Sequence, residues 1–319
     1  MAHRVHSLFH PSLRVPDLAE AMDFFTRVFG RRSTVMEDLI SPEVRALNPA
    51  YPRDYCAFTL IQDVYFDTID PQRYVIDGVQ RYPTVTEPHL KSLAFYVEDP
   101  GAAFTALREH GIRVVDQRNR IADGDDPPQA SSRPMILFWT LAEDAGLSYE
   151  IFPADVPYPG DARRDAGWVL PEVSPDDPLG IQRCSHHTVL TDQVGRALRI
   201  AVDVLGGTVI GEGWNDLLGT HSTYVHVAGS TLEYAQPMAT DGVEAHVPVL
   251  ADHRRTAPDD CYHSITWQVR DLDVAARHLE AQKVGVRART SSSLVTDPAT
   301  SLGVPWCFTS ELVAGDPRE

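Results

Sequence analysis

Hydrophobic and polar positions along this chain repeat a unit four times: an apolar strand, an acidic or polar cap, an amphipathic helix stopped near glycine, then short β-rich runs. In the first copy, Phe9–Gly30, Asp17 is placed to cap the helix, with Glu20 three residues on. Leu18, Ala21, Met22, Phe25 and Phe29 share one helical face, and Gly30 supplies the stop. The second copy has Asp99 as cap, Pro100 at the first helical position, and Ala103, Phe104 and Leu107 as its stripe up to Gly111. Val194, Ala197, Leu198, Ala201 and Leu205 make the third stripe, ending at Gly206. Leu272, Ala275, Ala276 and Leu279 follow the cap Asp271 in the fourth.

Each unit therefore predicts βαβββ, too few strands to bury both faces alone, so the units should pair. The expected architecture is α+β, four modules in two domains. A stretch carrying Pro153, Pro157, Pro159, Pro171, Pro175 and Pro178 divides residues 1–155 from residues 181–319, with a linker at 156–180. Two polar, proline-interrupted insertions, Asp116–Pro134 and Gln236–Asp260, are expected to be binding loops or plain excursions.

First and last strands of a unit bring sequence-distant side chains together, so their ionisable residues are the candidate chemistry. His10 with Asp67, and Ser92 with Glu150, lie at nearly the same offset in the first two units. In the second half His186 with Glu233, and His263 with Glu311, do the same, and both histidines follow a cysteine in one frame, Cys184-Ser185-His186 and Cys261-Tyr262-His263. Imidazoles with carboxylates suit one divalent ion such as Fe(II), Zn, Ni, Co or Mn.

The segments HPSLRVPDLAEAMDFFTRVFG with FDTIDP, and HHTVLTDQVGRALRIAVDVLGG with STLEYAQP, resemble the vicinal oxygen chelate superfamily, the group of glyoxalase I, bleomycin-resistance proteins and extradiol dioxygenases. The resemblance implies paired βαβββ modules forming cupped mixed sheets, and a metal held by His186, Glu233, His263 and Glu311. It also implies a substrate chelating through neighbouring oxygens, lyase or isomerase chemistry through an enolate or oxyanion, and Glu311 or Glu233 as the proton-carrying base. The alternatives are an Fe(II) ring-cleaving dioxygenase on His186, His263 and Glu311, and a binding protein without turnover. Two departures stand out: His263 is one residue out of frame, putting Ser264 at the nominal ligand position, and His187 competes with His186. The N-terminal half has Ser92 where a histidine would stand. It reads as a degenerate or structural module, or as a second metal site, with Trp139 and Tyr149 as candidate cup lining.

Composition narrows the partners. The 319 residues carry 28 basic and 45 acidic side chains, a formal net charge of −17, which disfavours nucleic acid and anionic membrane surfaces. A small-molecule substrate is expected, and a homodimer is left open. No apolar stretch reaches the roughly 18 residues a membrane helix needs, so a soluble, cytoplasmic protein is expected. Cys56, Cys184, Cys261 and Cys307 form no CxxC pair and read as buried thiols. No phosphate-cradling glycine loop and no GxSxG elbow occur.

Overall fold

The computed structural model describes residues 4–156, 158–238, 256 and 259–318. Two eight-stranded mixed sheets organise them. The first comprises β1 (Val5–Arg14), β2 (Ser33–Val35), β3 (Cys56–Ile61), β4 (Val64–Ile69), β5 (His89–Val97), β6 (Val114–Val115), β7 (Phe138–Thr140) and β8 (Ser148–Pro153), in the spatial order β2-β3-β4-β1-β5-β8-β7-β6. The second comprises β9 (Ile181–Leu190), β10 (Thr208–Asn215), β11 (Thr220–Val227), β12 (Ser230–Pro237), β13 (Cys261–Val269), β14 (Val286–Arg289), β15 (Ser293–Thr296) and β16 (Trp306–Thr309), ordered β10-β11-β12-β9-β13-β16-β15-β14. The orders are identical module for module. Each first strand pairs antiparallel with the first strand of the partner module and parallel with the last strand of its own.

The helices form where the pattern placed them. In α1 (Leu18–Phe29) the Asp17 carboxylate accepts from the amides of Ala19 and Glu20, and Gly30 closes the helix at φ +66°, a left-handed conformation that suits glycine. Asp99 caps α2 (Pro100–Glu109) by accepting from Ala102 N, and Asp271 caps α4 (Leu272–Ala281) by accepting from Asp273 N and Val274 N. The third unit differs: α3 (Val194–Leu198) gives way to a π-helical turn over Arg199–Val204, which buries Ile200 and Val204 beside the expected Ala201.

Phe24 and Val28 of α1 are buried as well, although they lie off the expected stripe. The cause is tertiary. The Phe25 ring packs on Phe66 of its own sheet, while the Phe29 ring lies 5.1 Å from Trp306 and 6.0 Å from Trp267 of the second sheet. One apolar core therefore joins the helix-covered faces of both domains. Each sheet carries a second apolar cluster of its own, and these are the two cups. Trp267 and Trp306 are core residues, and so is Tyr149, whose hydroxyl lies 3.2 Å from that of Tyr234, so Tyr149 does not line a cup.

The stretch expected as a linker folds back on the first domain. Arg163 donates to the Asp161 carboxylate, to Asp63 O at 2.8 Å and to Phe9 O, and Arg164 donates to Ala154 O. All four cysteines are buried thiols that form no disulfide. Among the described residues no helix is long and apolar enough to cross a membrane.

Candidate functional site

Strand register decides which side chains meet. In the first domain His10 lies opposite Ala94 and Ser12 opposite Ser92; Asp67 is level with Ser12 on the parallel neighbour, and Glu150 is level with Ala94. A pseudo-twofold axis between β1 and β5 thus relates His10 to Ser92 and Asp67 to Glu150. In the second domain His186 lies opposite Thr266 and Thr188 opposite Ser264, with Glu233 level with Thr188 and Cys307 level with Thr266. The four equivalent positions are therefore His10, Asp67, Ser92 and Glu150 in one cup, and His186, Glu233, Ser264 and Cys307 in the other.

The first cup encloses a cavity of about 70 Å³. Its walls are aromatic, Tyr51, Tyr55, Tyr74, Tyr82, Trp139 and Tyr158 among them, and its floor holds His10, Asp67 and Glu150, all buried. The insertion Asp116–Pro134 closes one side: Gln117 donates to the Tyr51 and Tyr74 hydroxyls, accepts from Ser131 N, and leaves Ser132 and Arg133 on the cavity. The insertion thus forms part of the cavity wall.

Burial dominates the electrostatics of the floor. It pushes the Glu150 carboxyl up to about 7, against a hydrogen bond from the Trp139 indole at 3.1 Å and the nearby Arg81 charge. It pushes Asp67 well above the carboxylate range, with the nearby Glu150 charge acting the same way. Burial, aided by the Arg163 charge, lowers His10 to about 3, so its imidazole is neutral. His10 Nε2 lies 3.7 Å from Glu150 Oε2, while His10 Nδ1 and Asp67 Oδ1 are buried without a hydrogen-bond partner.

The second cup is chemically closed. Glu233 accepts from Thr188 Oγ1 at 2.6 Å, Asn215 Nδ2 and Ser222 Oγ at 2.7 Å each, and Tyr224 OH at 3.0 Å, with His186 Nε2 3.4 Å away. Burial alone would raise this carboxyl, yet the contacts from His186, Thr188 and Asn215 hold it down to about 2. Cys307 occupies the position of Glu150, and burial pushes its thiol up to about 12, leaving an inert group.

Residues 7–125 match the model of the Glyoxalase/Bleomycin resistance protein/Dioxygenase superfamily, and both sheets repeat its paired modules. Over that stretch, which lies in the first of the two sheets and its helices, the chain is similar to the vicinal oxygen chelate superfamily. No curated protein matches it by sequence. In fold it is similar to a mutant 4-hydroxymandelate synthase from Streptomyces coelicolor, at 13% identity over 98% of this chain and 96% of that one, with a TM-score of 0.58. It is likewise similar to an Mn(II)-bound glyoxalase from Novosphingobium aromaticivorans, at 14% identity over 99% and 86% and a TM-score of 0.56. A 2,3-dioxygenase from Pseudomonas sp. KL28 shares 10% identity over 99% and 96%, also at 0.56.

The superfamily resemblance pointed to His186, Glu233, His263 and Glu311 as one metal set, and the structure does not bring them together. His186 and Glu233 do meet in the second cup, and His187 instead faces the shared core, with Nδ1 2.6 Å from the Tyr262 hydroxyl. His263 is the extra residue of a β-bulge, since Thr188 pairs with Ser264 but Val189 with Tyr262, and it lines a cleft shared with the first domain. Glu311 is exposed, two residues past the end of β16. The same bulge recurs at Lys91 of β5, between Ser92 and Leu90. Among the described residues no three His, Cys, Asp or Glu side chains converge closely enough to hold a metal ion.

Sequence reasoning missed Cys307 as a cup residue, and it read the first cup as a degenerate or structural module or a second metal site. Alternation in Trp306-Cys307-Phe308-Thr309 held the signal: two large aromatics on the core face leave Cys307 and Thr309 on the other. Arg133 and Tyr158 carried no such signal, because an insertion and the linker deliver them.

Proposed function

We propose that the chain is an enzyme whose reaction chamber is the first cup, where it runs lyase- or isomerase-type proton transfer on a small substrate bearing neighbouring oxygens. The observation that supports this reading is the buried floor of His10, Asp67 and Glu150, with Glu150 poised near neutrality beneath an aromatic cavity. A divalent ion is not part of the proposal, because the donors as placed do not fit one: His10 and Glu150 face each other, and among the described residues no third donor converges on them.

Glu150 is the acid–base group. With its affinity for a proton near the working pH, it can take a proton from a carbon beside a carbonyl and return it to the adjacent atom. The Trp139 indole N–H fixes the orientation of its carboxylate. Asp67, which burial pushes toward its protonated form, and neutral His10 are placed to supply O–H and N–H donors for the oxygen on which negative charge develops. The aromatic walls exclude water, which strengthens each of these contacts.

The test is solvent-deuterium incorporation by a panel of small 2-oxo and 2-hydroxy acids and aldehydes, followed by NMR. At least one member is expected to exchange a C–H, with Glu150→Gln slowing it at least about 100-fold and Cys307→Ser leaving it unchanged. No exchange with any member, or equal exchange by Glu150→Gln, would contradict the proposal.

A further inference from the structure

Four arginines surround the first cup, Arg14, Arg53, Arg81 and Arg133, and among the described residues none makes a close ion pair with a carboxylate, although the Arg81 charge is felt at Glu150. In a chain of net charge −17, whose other arginines are widely paired with Asp and Glu, this local excess is specific. Arg14 lies 3.9 Å over the Tyr82 ring, and Arg81 lies 4.6 Å over Tyr82 and 4.5 Å over Trp139. Both are buried, at 7% and 3% exposure, and the Nε of each has no partner. Arg53 is committed to the backbone, donating to Tyr51 O and Asn48 O at 2.7 Å each.

Arg133 differs from these three. It reaches the cavity from the insertion, makes no hydrogen bond or ion pair with the described residues, and lies near Tyr158 and Tyr96. The Tyr158 hydroxyl is itself buried and without a partner. The carboxyls that could neutralise the arginines, Asp67 and Glu150, are the two that burial holds toward the neutral form. Desolvated guanidinium without a counter-charge is costly, and the cavity is where that charge can arrive.

We infer that the chamber takes a small organic anion, a monocarboxylate whose carboxylate is held by Arg133 and the Tyr158 hydroxyl while its other end faces Glu150. Arg14 and Arg81, behind Tyr82 and Trp139, add the positive field that favours its entry. The cavity is small, about 70 Å³, which suits a small ligand. A polyanion is excluded by size and by the acidic surface; a single carboxylate is not. This inference rests on the first cup being the functional chamber and adds the charge class of what enters it.

The experiment titrates pyruvate and lactate, with the neutral isostere lactamide as control, into the full-length protein while following the Trp139 indole ¹H–¹⁵N resonance. Both carboxylates are expected to shift it and lactamide is not, with Arg133→Gln weakening binding at least tenfold and Tyr158→Phe weakening it less. Equal binding of lactamide, unchanged affinity in Arg133→Gln, or no shift by either carboxylate would overturn the inference. Persistence of the Trp139 resonance position in ligand-free Arg133→Gln shows that the variant keeps the chamber's fold. Carboxylate binding without Glu150-dependent exchange would sink the proposed reaction and leave this inference standing. Exchange on aldehydes alone would do the reverse.

Discussion

The two cups are copies of one design with opposite electrostatic outcomes. Both place a histidine on the first strand of one module and a serine at the matching point of the other, and both set a carboxylate beside the histidine strand. In the second cup that carboxylate, Glu233, is wrapped by Thr188, Asn215, Ser222, Tyr224 and His186, and its fourth partner position is a thiol. In the first, two carboxyls share a desolvated floor with little to hold their charge. Satisfied polar groups stabilise a fold, while under-satisfied ones are kept where chemistry uses them. The comparison therefore supports the proposal that the first cup is the reaction chamber and the second a structural copy.

The largest expected break in this pattern is Glu233→Gln. Replacing a buried carboxylate that accepts four hydrogen bonds leaves donors facing an amide, and a loss of about 3 kcal/mol in denaturant unfolding is expected. Because Glu233 is held below its ordinary value, its stabilisation is present at neutral pH and is lost as pH falls from about 4.5 toward about 2. Unchanged stability in the variant would remove the structural role assigned to this cup.

Glu150 carries the opposite sign. Its carboxyl is raised to about 7, so the folded state holds a proton that the unfolded state has released, and stability falls as pH rises from about 4.5 to about 7. Glu150→Gln removes that penalty and should be more stable than the parent at pH 8, by about 2 kcal/mol, with little difference at pH 4. Thermal unfolding at the two pH values checks it; a variant less stable at pH 8 would contradict the assignment.

Cys307→Glu restores in the second cup the residue type found in the first. Beside the already ionised Glu233, the new carboxyl has neither room for charge nor donors, so a loss of about 2 kcal/mol is expected at pH 8 and less at pH 5. Equal stability at both would show that the second cup tolerates a second carboxylate. The smallest effect belongs to Glu311→Ala, an exposed position beyond β16, which should stay within about 0.5 kcal/mol of the parent and leave deuterium exchange intact. Loss of exchange in that variant would revive the second domain as a site.

Fold was readable because it rests on local, repeated signals. Asp17, Asp99 and Asp271 cap as placed, and the apolar stripes of α1, α2 and α4 are buried apart from Met22 and Ala276, which are half-buried. Phe24 and Val28 escaped because their burial comes from the other domain, which one helix's periodicity cannot report. The site was half readable. His10, Asp67, Ser92 and Glu150 stood at matched offsets and form the first cup, whereas the second cup was misjudged at His263 and Glu311. A bulge changes the face of every residue before it, and a strand's end is set by pairing rather than by composition. The insertion at Gln236–Asp260 lies mostly outside the described residues.

The contrast between the cups is tested most directly by side-chain ¹³C NMR of the glutamates, titrated from pH 2 to pH 9 and assigned with Glu150→Gln and Glu233→Gln. The account predicts that the resonance lost in Glu150→Gln titrates with a midpoint near about 7, while the one lost in Glu233→Gln stays ionised to about 2. Two midpoints both near the ordinary glutamate value of about 4.3 would contradict it.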